Sequence, residues 1–435
     1  MLLNESDRPT RVHFSILLMS WAGWVFDFYD LILYTFLALA IGRELHLSKL
    51  TLSWVLGASL AATALGGLIF GVLSDRYGRK RVLQWTILTY SVGTFLCGTA
   101  AGFAQLLAFR IVTGLGVGGE WATGQTYVCE AFPAKVRGRY GAFMQTGAPV
   151  GVALASAVGG FLGPVIGWRA CFFVSVLPAL LVVFIRTMMP ESDVWEQRRS
   201  ANVRGTLPSG VSEARSKLRA LISPTYRRIF ALCLVLALLD MSAYWFTYSW
   251  LPGYLNEERK LSMVKSALWM LVTQGGGFLG YFFFGFVADR FGRRPAYSVY
   301  GVLWAAGLMM ITLEWNAVAS YPPVILGFMF LVGFGTGMFG GYGPLFSELF
   351  PTGIRSTAMG TAFNLARGVQ FFTPAIIAVI ARQYGLGGGI SLAALFALLA
   401  GAWIWTFPET KGRNLAALEA DSAAEGVSPS AGVPA

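Results

Sequence analysis

Long apolar runs recur about every 25 to 35 residues along the whole chain, and most approach the ~20 residues that cross the ~30 Å hydrocarbon core of a bilayer. The runs are uninterrupted, and a transmembrane barrel would instead need short segments of alternating polarity. They are also apolar on all sides, unlike the narrow stripe of a helix in a soluble protein. The pattern therefore predicts an all-α protein that spans the membrane many times.

Twelve membrane spans are predicted, and one polar segment, from Pro190 to Tyr226, separates them into two groups of six. The predicted spans are 14–41, 51–74, 82–102, 104–130, 140–164, 167–189, 227–253, 262–288, 295–313, 322–347, 356–381 and 387–407. The predicted parts of the chain are an N-terminal six-helix bundle over 1–189, a cytoplasmic linker over 190–226, a C-terminal six-helix bundle over 227–410, and a cytoplasmic tail over 411–435. The tail is rich in Ala, Ser and Glu, which predicts disorder.

Composition and charge placement agree with a membrane protein. Charged residues make up 13% of the chain, against about 25% in soluble domains. If the N-terminus is cytoplasmic, most of the 33 Lys and Arg fall on the cytoplasmic side, which is the positive-inside bias. This bias explains the net charge of +11 without a nucleic-acid partner and predicts that both termini are cytoplasmic.

The cysteines and the N-terminus exclude several other classes. The four cysteines lie in or beside apolar runs and form no CxxC motif or His/Cys cluster, so neither a disulfide framework nor a metal site is expected: Cys97, Cys129, Cys171 and Cys233. The first apolar run continues for a full span without a small-residue cleavage site, so we predict no cleavable signal peptide. The sequence contains no nucleophile–base constellation, so we do not predict an enzyme. No cofactor is expected, and a proton gradient is the predicted driving force.

Three short motifs occur twice, and the two copies of each are separated by nearly the same length of chain. Gly71-Val-Leu-Ser-Asp75-Arg76-Tyr-Gly78-Arg79-Lys80 recurs in the second half as Gly285-Phe-Val-Ala-Asp289-Arg290-Phe-Gly292-Arg293-Arg294. Glu130-Ala-Phe-Pro133, followed by Arg137, recurs as Glu348-Leu-Phe-Pro351, followed by Arg355. Pro190-Glu191-Ser192 recurs as Pro408-Glu409-Thr410. The repeats indicate two copies of a six-span unit in the same orientation.

The doubled loop, G-x-x-x-D-R-x-G-R-[KR], resembles the signature of the major facilitator superfamily. Three further segments resemble its sugar-porter-like branch: Arg110-Ile-Val-Thr-Gly114-Leu-Gly116-Val-Gly118-Gly119, Glu348 to Arg355, and Pro408-Glu-Thr-Lys-Gly412. The resemblance covers almost the whole chain. It implies the major facilitator fold and a monomeric transporter of the bacterial inner membrane, whose two bundles rock about a site near the bilayer midplane.

The first span narrows the resemblance to carriers of organic acids. Its Asp27-Phe28-Tyr29-Asp30 resembles the corresponding motifs of aromatic-acid, sialate/lactate and metabolite proton symporters. Gly119-Glu120-Trp121 and Asn364-Leu-Ala-Arg367-Gly368 look most like the sialate/lactate group. Sugar porters usually carry paired glutamines in the seventh span, where this chain reads Asp240-Met-Ser-Ala-Tyr244-Trp245-Phe-Thr-Tyr248.

Ionisable residues near the middle of the spans predict a polar site between the halves. They are Asp27, Asp30, Glu120, Asp240 and Arg367. A charge at the bilayer centre costs at least ~2.5–3.5 kcal/mol, so such residues usually face a bundle interior or a cavity.

Arg367 is predicted to bind a substrate carboxylate, because the planar guanidinium fork makes two parallel hydrogen bonds to it. A structural ion pair with a carboxylate across the bundle is the alternative. Other residues predicted to contribute to substrate binding are Asn364, Tyr29, Tyr34, Glu120, Tyr244, Gln274 and Tyr342. For any single aromatic residue, ordinary helix packing is the alternative.

The buried carboxyl groups are candidates for carrying the coupled proton: Asp27, Asp30, Glu120 and Asp240. Asp27 and Asp30 are three residues apart and therefore share a helix face. Burial and a neighbouring like charge both favour the protonated form of a carboxyl group. A structural cap or pair remains the alternative for one of the two aspartates, and Asp240 suits either coupling or a pair with an arginine. Arg110, near the outer end of its span, is predicted to be structural.

The repeated loops predict a cytoplasmic latch that holds the outward-facing state and breaks on inward opening. The Asp75 carboxylate is placed to accept amides at the start of the next helix, and neighbouring arginines can pair with Glu130. Gly71 and Gly78 are expected to allow close helix approach and a tight turn. A plain basic loop that sets topology is the alternative. The latch residues are Gly71, Asp75, Arg76, Gly78, Arg79, Glu130, Arg137, Asp289, Arg290, Arg293, Glu348 and Arg355.

The residues and the resemblance together predict proton-coupled symport of a small organic anion, such as a monocarboxylate, sialic acid or an aromatic acid. A sugar or polyol symporter, a metabolite or drug exporter, and a membrane receptor are the alternatives. Arg367 and the missing glutamine pair count against a sugar.

Overall fold

The computed structural model describes residues 9–133, 140, 143–177, 180–193, 195–196, 216, 218–318, 320–350 and 352–410. The side chains at positions 75, 121, 122, 129, 181–183, 186, 343, 344, 347, 352, 353, 355 and 356 lie outside the description. Three sequence-based predictions therefore stay predictions: the tail over 411–435, most of the linker, and the role of Arg137. The side chains of Asp75, Cys129 and Arg355 also lie outside the described part.

The first half of the chain consists of helices joined by short turns. In chain order they are α1 (Arg11–Glu44), α2 (Lys49–Tyr77), α3 (Arg79–Cys97), α4 (Phe103–Ala131), α5 (Gly147–Ala157), α6 (Gly163–Val174) and α7 (Leu180–Met188). A π-helical turn, Val158–Leu162, joins α5 to α6.

The second half repeats this arrangement. Its helices are α8 (Arg227–Tyr248), α9 (Leu251–Glu257), α10 (Met263–Phe291), α11 (Arg293–Thr312), the short α12 (Trp315–Val318), α13 (Pro322–Gly335), α14 (Tyr342–Leu349), α15 (Thr352–Val369) and α16 (Thr373–Trp403). Short 3₁₀ segments cover Thr336–Gly341, Gln370–Phe372 and Ile404–Thr406. No strand occurs among the described residues, and the prediction of an all-α protein is confirmed.

Matched turn residues divide both halves at equivalent places. Gly78 and Gly292 have φ values of +103° and +102° and separate α2 from α3 and α10 from α11. Gly167 and Gly385, with φ values of +78° and +71°, lie at kinks that separate the fifth span from the sixth and the eleventh from the twelfth. Glycine adopts this left-handed backbone at little cost. The duplication seen in the motifs therefore extends to the turns.

Eight segments of the described residues are long and apolar enough to cross a membrane. Two of them, 143–174 and 357–406, each contain the kink that separates two predicted spans. The third and fourth predicted spans correspond to α3 and α4, which have 19 and 29 residues but fall outside the eight. Basic residues begin α3, and charged residues and glycines interrupt α4, which lowers their apolar character.

The two halves pack tightly at the end that the positive-inside bias places outside the cell. A Cβ atom on Gly57 would overlap the carbonyl oxygen of Phe371, and one on Gly160 would overlap Ala267. At the same end, the Lys49 ammonium pairs with the Glu257 carboxylate across the halves. The interface between the halves is therefore closed, in this conformation, on the side predicted to be the outer one.

Candidate functional site

Arg367 lies on α15 with only 2% of its surface exposed. Its guanidinium carbon is 5.9 Å from the centre of the Trp24 ring and 5.8 Å from that of Phe28, both on α1 of the other half. No carboxylate among the described residues lies within 4 Å of it, and its buried Nη2 has no hydrogen-bond partner. The structure thus holds a buried cation beside two aromatic rings of the other half, with its Nη2 unsatisfied.

Asp27 is fully buried on α1, and neither of its carboxyl oxygens has a hydrogen-bond partner. The charges of Glu120, Arg367 and Asp30 all act on this carboxyl group. More than about 90% of buried polar groups in proteins have a partner, so an orphaned carboxyl group needs a specific explanation. A group that changes its protonation or its partner during a transport cycle is one such explanation.

Glu120 on α4 approaches α1 one turn before Asp27. Its Oε2 accepts a hydrogen bond from Thr86 Oγ1 at 2.9 Å, while its buried Oε1 has no partner. Oε1 lies so close to Gly23 that any Cβ at that position would overlap it. Gly23 is therefore needed for Glu120 to lie beside Asp27, a role that the sequence analysis did not identify.

Asp30 has a different environment from Asp27, although the two share a helix. Its Oδ2 accepts a hydrogen bond from Arg110 Nη1 at 2.7 Å, and its Oδ1 accepts one from Thr94 Oγ1 at 2.5 Å. Ser59 also accepts a hydrogen bond from Arg110, at 3.2 Å. Asp30 and Arg110 therefore form a buried ion pair within the first half, which is the structural alternative considered for Asp30.

The second half contributes its own buried polar groups. Tyr342 donates a hydrogen bond to Asp240 Oδ2 at 2.7 Å, whereas Asp240 Oδ1 and Gln274 Nε2 are buried without partners. Tyr244 packs edge-on against Phe28, with ring centres 5.8 Å apart, and interacts electrostatically with Arg367. Asn364 is buried against Gly67 of α2, at the interface between the halves.

Two predicted binding tyrosines use their hydroxyl groups elsewhere. The Tyr29 hydroxyl is 2.5 Å from Ser175 Oγ, and the Tyr34 hydroxyl donates to the Leu52 carbonyl at 3.1 Å. The Tyr34 ring also covers the Arg110 guanidinium at 5.2 Å. The described contacts of both tyrosines therefore serve packing within the first half.

The repeated loop motifs, which are predicted to be cytoplasmic, form a charge cluster in each half. In the first half, Arg79 donates to both Glu130 oxygens, at 2.8 and 3.1 Å. In the second half, Arg293 donates to both Glu348 oxygens, at 2.7 and 3.3 Å, and to Asp289 at 2.7 Å. These ion pairs lie within one half and are present while the outer side is closed.

The amides that begin α3 and α11 are bound by glutamates of the Pro-Glu-Ser/Thr motifs. Lys80 N donates to Glu191 at 3.0 Å, and Arg293 N and Arg294 N donate to Glu409 at 3.0 and 3.2 Å. The sequence predicts this role for Asp75, whose side chain lies outside the part of the chain that the structure describes. The repeat of Glu191 and Glu409 at the spacing of the other motifs was the signal that pointed to them.

The remaining latch residues divide into turn and surface positions. Gly78 forms the expected tight turn. Gly71 does not mark a close approach in this conformation, since a Cβ there would meet no atom of the described residues within 4 Å. Arg76 and Arg290 lie over the rings of their neighbours Tyr77 and Phe291, at 5.2 and 5.4 Å.

Comparison with known proteins gives relatives along almost the whole chain. A putative metabolite transport protein of Haemophilus influenzae is 34% identical over 92% of this chain and 97% of its own length. The sialic acid transporter NanX of Escherichia coli is 29% identical over 88% of this chain and 93% of its own length. A solved D-xylose–proton symporter has a TM-score of 0.73 at 21% identity, covering 93% of this chain and all of that one, which shows a shared fold.

The family model described as Major Facilitator Superfamily matches residues 14–285 and 267–432. This match, the duplicated helices and motifs, and the full-length relatives agree with one another. The chain is therefore an integral, multi-pass membrane transporter with the major facilitator fold, not an enzyme, and it belongs to the major facilitator superfamily.

Proposed function

We propose that this transporter carries a small organic anion together with protons, by alternating access to a site between its halves. The observation that carries the proposal is Arg367, a buried guanidinium with no ion pair among the described residues. A buried hydrogen-bonding group without a partner costs about 1–3 kcal/mol, and more when it is charged. A bound ligand that supplies the missing partner would offset this cost.

A carboxylate suits the unsatisfied Nη2 of Arg367. The Trp24 and Phe28 rings lie near the guanidinium at distances typical of cation–π contacts, which leave the N–H groups at the guanidinium edge available. A carboxylate accepts two parallel hydrogen bonds from such an edge. Because Trp24 and Phe28 belong to one half and Arg367 to the other, an anion bound here would contact the interface that moves during alternating access.

Asp27 is the carboxyl group best suited to carry the coupled proton. It is orphaned and interacts electrostatically with Arg367, whereas Asp30 is neutralised by Arg110. Protonation of Asp27 would remove its attraction for Arg367 and leave the guanidinium to the substrate anion. Proton binding and anion binding would then favour each other at one site.

The relatives support an acid more than a neutral sugar. The transporter NanX is named for sialic acid, which carries a carboxylate. The likeness to the xylose symporter, at 21% identity, concerns the fold alone. An organic acid also gives the buried Arg367 a counter-ion, which a sugar does not.

The decisive test is uptake into proteoliposomes of labelled monocarboxylates, aromatic acids, sialic acid, dicarboxylates and hexoses, with and without an inward proton gradient. We expect gradient-stimulated uptake of one acid. Arg367→Gln should reduce that uptake by roughly 10- to 100-fold, the equivalent of about 1.5–3 kcal/mol for hydrogen bonds to a charged group. Lys265→Gln removes an exposed positive charge and serves as the control. Uptake of a hexose alone, unaffected by Arg367→Gln, would refute the proposal.

A second experiment tests the role of Asp27. Asp27→Asn should abolish accumulation driven by the proton gradient while preserving exchange of labelled for unlabelled substrate, because asparagine mimics the protonated carboxyl group. Asp240→Asn, the corresponding change of a buried carboxyl group in the second half, is measured in the same assays for comparison. Normal gradient-driven accumulation by Asp27→Asn would assign the proton to another carboxyl group.

A further inference from the structure

A groove opens on the membrane-facing surface of the second half, between α11 and the end of α16. Its volume is about 360 Å³, and its lining residues are Ser298, Val302, Leu398, Gly401, Ala402 and Trp405. Val302, Leu398 and Trp405 are 54%, 41% and 55% exposed, so the groove faces the hydrocarbon region. Nothing in the proposed transport cycle uses it.

Two of the residues that line the groove are small where the first half of the sequence has large ones. In the register set by the flanking Gly167/Gly385 and Glu191/Glu409 pairs, Gly401 and Ala402 correspond to Val183 and Phe184 of the first half. The sequence of the first half therefore has larger residues at these two positions than the second half. The duplicated fold by itself does not require this groove.

The cytoplasmic end of the groove combines an aromatic ring with a cation. Trp405 donates a hydrogen bond to Ser298 Oγ at 2.8 Å, which fixes its ring at this end. The Arg294 guanidinium lies 5.8 Å from the centre of the same ring and donates to the Phe407 carbonyl. Position 187, which matches Trp405 in the first half, is a threonine, and position 80, which matches Arg294, is a lysine.

Arg294 has no counter-ion among the described residues. Its Nε is buried and makes no hydrogen bond, and the one described carboxylate in contact with Arg294, that of Glu409, accepts from its backbone amide rather than from its guanidinium. An unpaired guanidinium at the interface level of a membrane protein attracts the negatively charged headgroups of the cytoplasmic leaflet. Trp405 is of the type that lies at the headgroup level.

We propose that this groove binds one anionic phospholipid, with an acyl chain along Val302, Leu398 and Ala402 and its phosphate against Arg294. The apolar lining suits the chain, and the unpaired guanidinium beside Trp405 suits the phosphate. Basic pockets between transmembrane helices on the cytoplasmic side recognise anionic headgroups in this way. The site is independent of the transport site, because it faces the membrane rather than the opposite half.

Native mass spectrometry of the full-length protein, titrated with phosphatidylglycerol or phosphatidylcholine, tests the proposal. The wild-type protein should retain one phosphatidylglycerol more strongly than phosphatidylcholine. Arg294→Gln should weaken retention about fivefold, which corresponds to the ~1 kcal/mol that one basic residue contributes at an anionic surface. Ala402→Phe, which restores the residue of the first half, should reduce retention of either lipid by filling the groove.

The matched control is Lys80→Gln, the equivalent of Arg294→Gln in the half that lacks the small residues. It should leave phosphatidylglycerol retention unchanged. Equal retention by wild type, Arg294→Gln and Ala402→Phe would overturn the site, and equal affinity for both lipids would overturn its selectivity for negative charge. Elution of each variant as a single species in size-exclusion chromatography separates loss of binding from misfolding.

Discussion

The charges at the helix ends predicted to be cytoplasmic and those near the middle of the spans have opposite surroundings. At these helix ends, Arg79 and Arg293 each donate two hydrogen bonds to a glutamate, Glu130 or Glu348. Ser192 and Thr410 donate to the same two glutamates, at 2.6 and 2.5 Å. In the middle, Arg367 and Asp27 are buried and orphaned. The ion pairs at the helix ends are repeated in both halves and fully hydrogen-bonded. Arg367 and Asp27 are not repeated and lack hydrogen-bond partners.

This difference separates charges that stabilise the folded protein from charges that are candidates for binding a ligand. A buried charge that is fully hydrogen-bonded stabilises one arrangement of its neighbours, because removing one partner leaves an uncompensated charge. A buried charge without a hydrogen-bond partner holds its neighbours less firmly and needs another explanation, such as a ligand or a second state of the protein. Depth in the membrane alone does not decide whether a charge has a partner. Asp30 lies on the same helix as Asp27 and is nevertheless paired with Arg110.

The largest expected contrast is in thermal stability, between Arg293→Gln and Arg367→Gln. Breaking the Arg293–Glu348 pair should cost about 3–5 kcal/mol, the range for removing one partner of a buried pair. Arg367→Gln should cost less than this, since Arg367 makes no ion pair with a described residue and its attraction to Asp27 acts over a longer distance. Thermal unfolding of both purified variants in the same detergent measures this contrast.

An equal loss of stability in the two variants would show that Arg367 also braces the resting structure. The comparison between satisfied and orphaned charges would then fail. Arg79→Gln provides an internal control, because it should resemble Arg293→Gln in the matching half.

A smaller effect is expected from crowding the Glu120 carboxylate. Gly23→Ala places a methyl group where Glu120 Oε1 now lies, and overpacking of this kind costs typically about 1–3 kcal/mol. The displaced carboxylate should lower the initial rate of gradient-driven uptake. Gly275→Ala is the matched control, because a Cβ there meets no described atom within 4 Å. Unchanged uptake by Gly23→Ala would mean that the position of Glu120 is unimportant for transport.

The smallest effect is expected at the outer closure. Lys49 and Glu257 bridge the halves, with 44% and 28% of their side chains exposed. Exposed pairs contribute about 0.2–1 kcal/mol, so Lys49→Gln should shift the equilibrium toward the outward-open state by no more than about fivefold. Accessibility of an introduced outer-cavity cysteine to a membrane-impermeant reagent measures the shift. A larger change would mean that this pair, and not the close helix packing at Gly57, holds the outer side closed.

The sequence already determined the spans, the duplication and the depth of the charged residues. Apolar run length depends only on the local chain and the thickness of the bilayer, so the placement of residues on helices follows without knowing which helices touch. The nearly constant spacing between the copies of the repeated motifs likewise anticipated the matching turns at Gly78 and Gly292.

Only the tertiary structure decided which charges have partners. Asp27 and Asp30 look alike in sequence, but Asp30 faces Arg110 and Thr94 from two other helices and Asp27 faces no hydrogen-bond donor among the described residues. Glu191 and Glu409 are brought to the start of α3 and α11 from distant parts of the chain. Pairing depends on which helix surfaces meet, and that is set by packing of the whole bundle rather than by any local pattern.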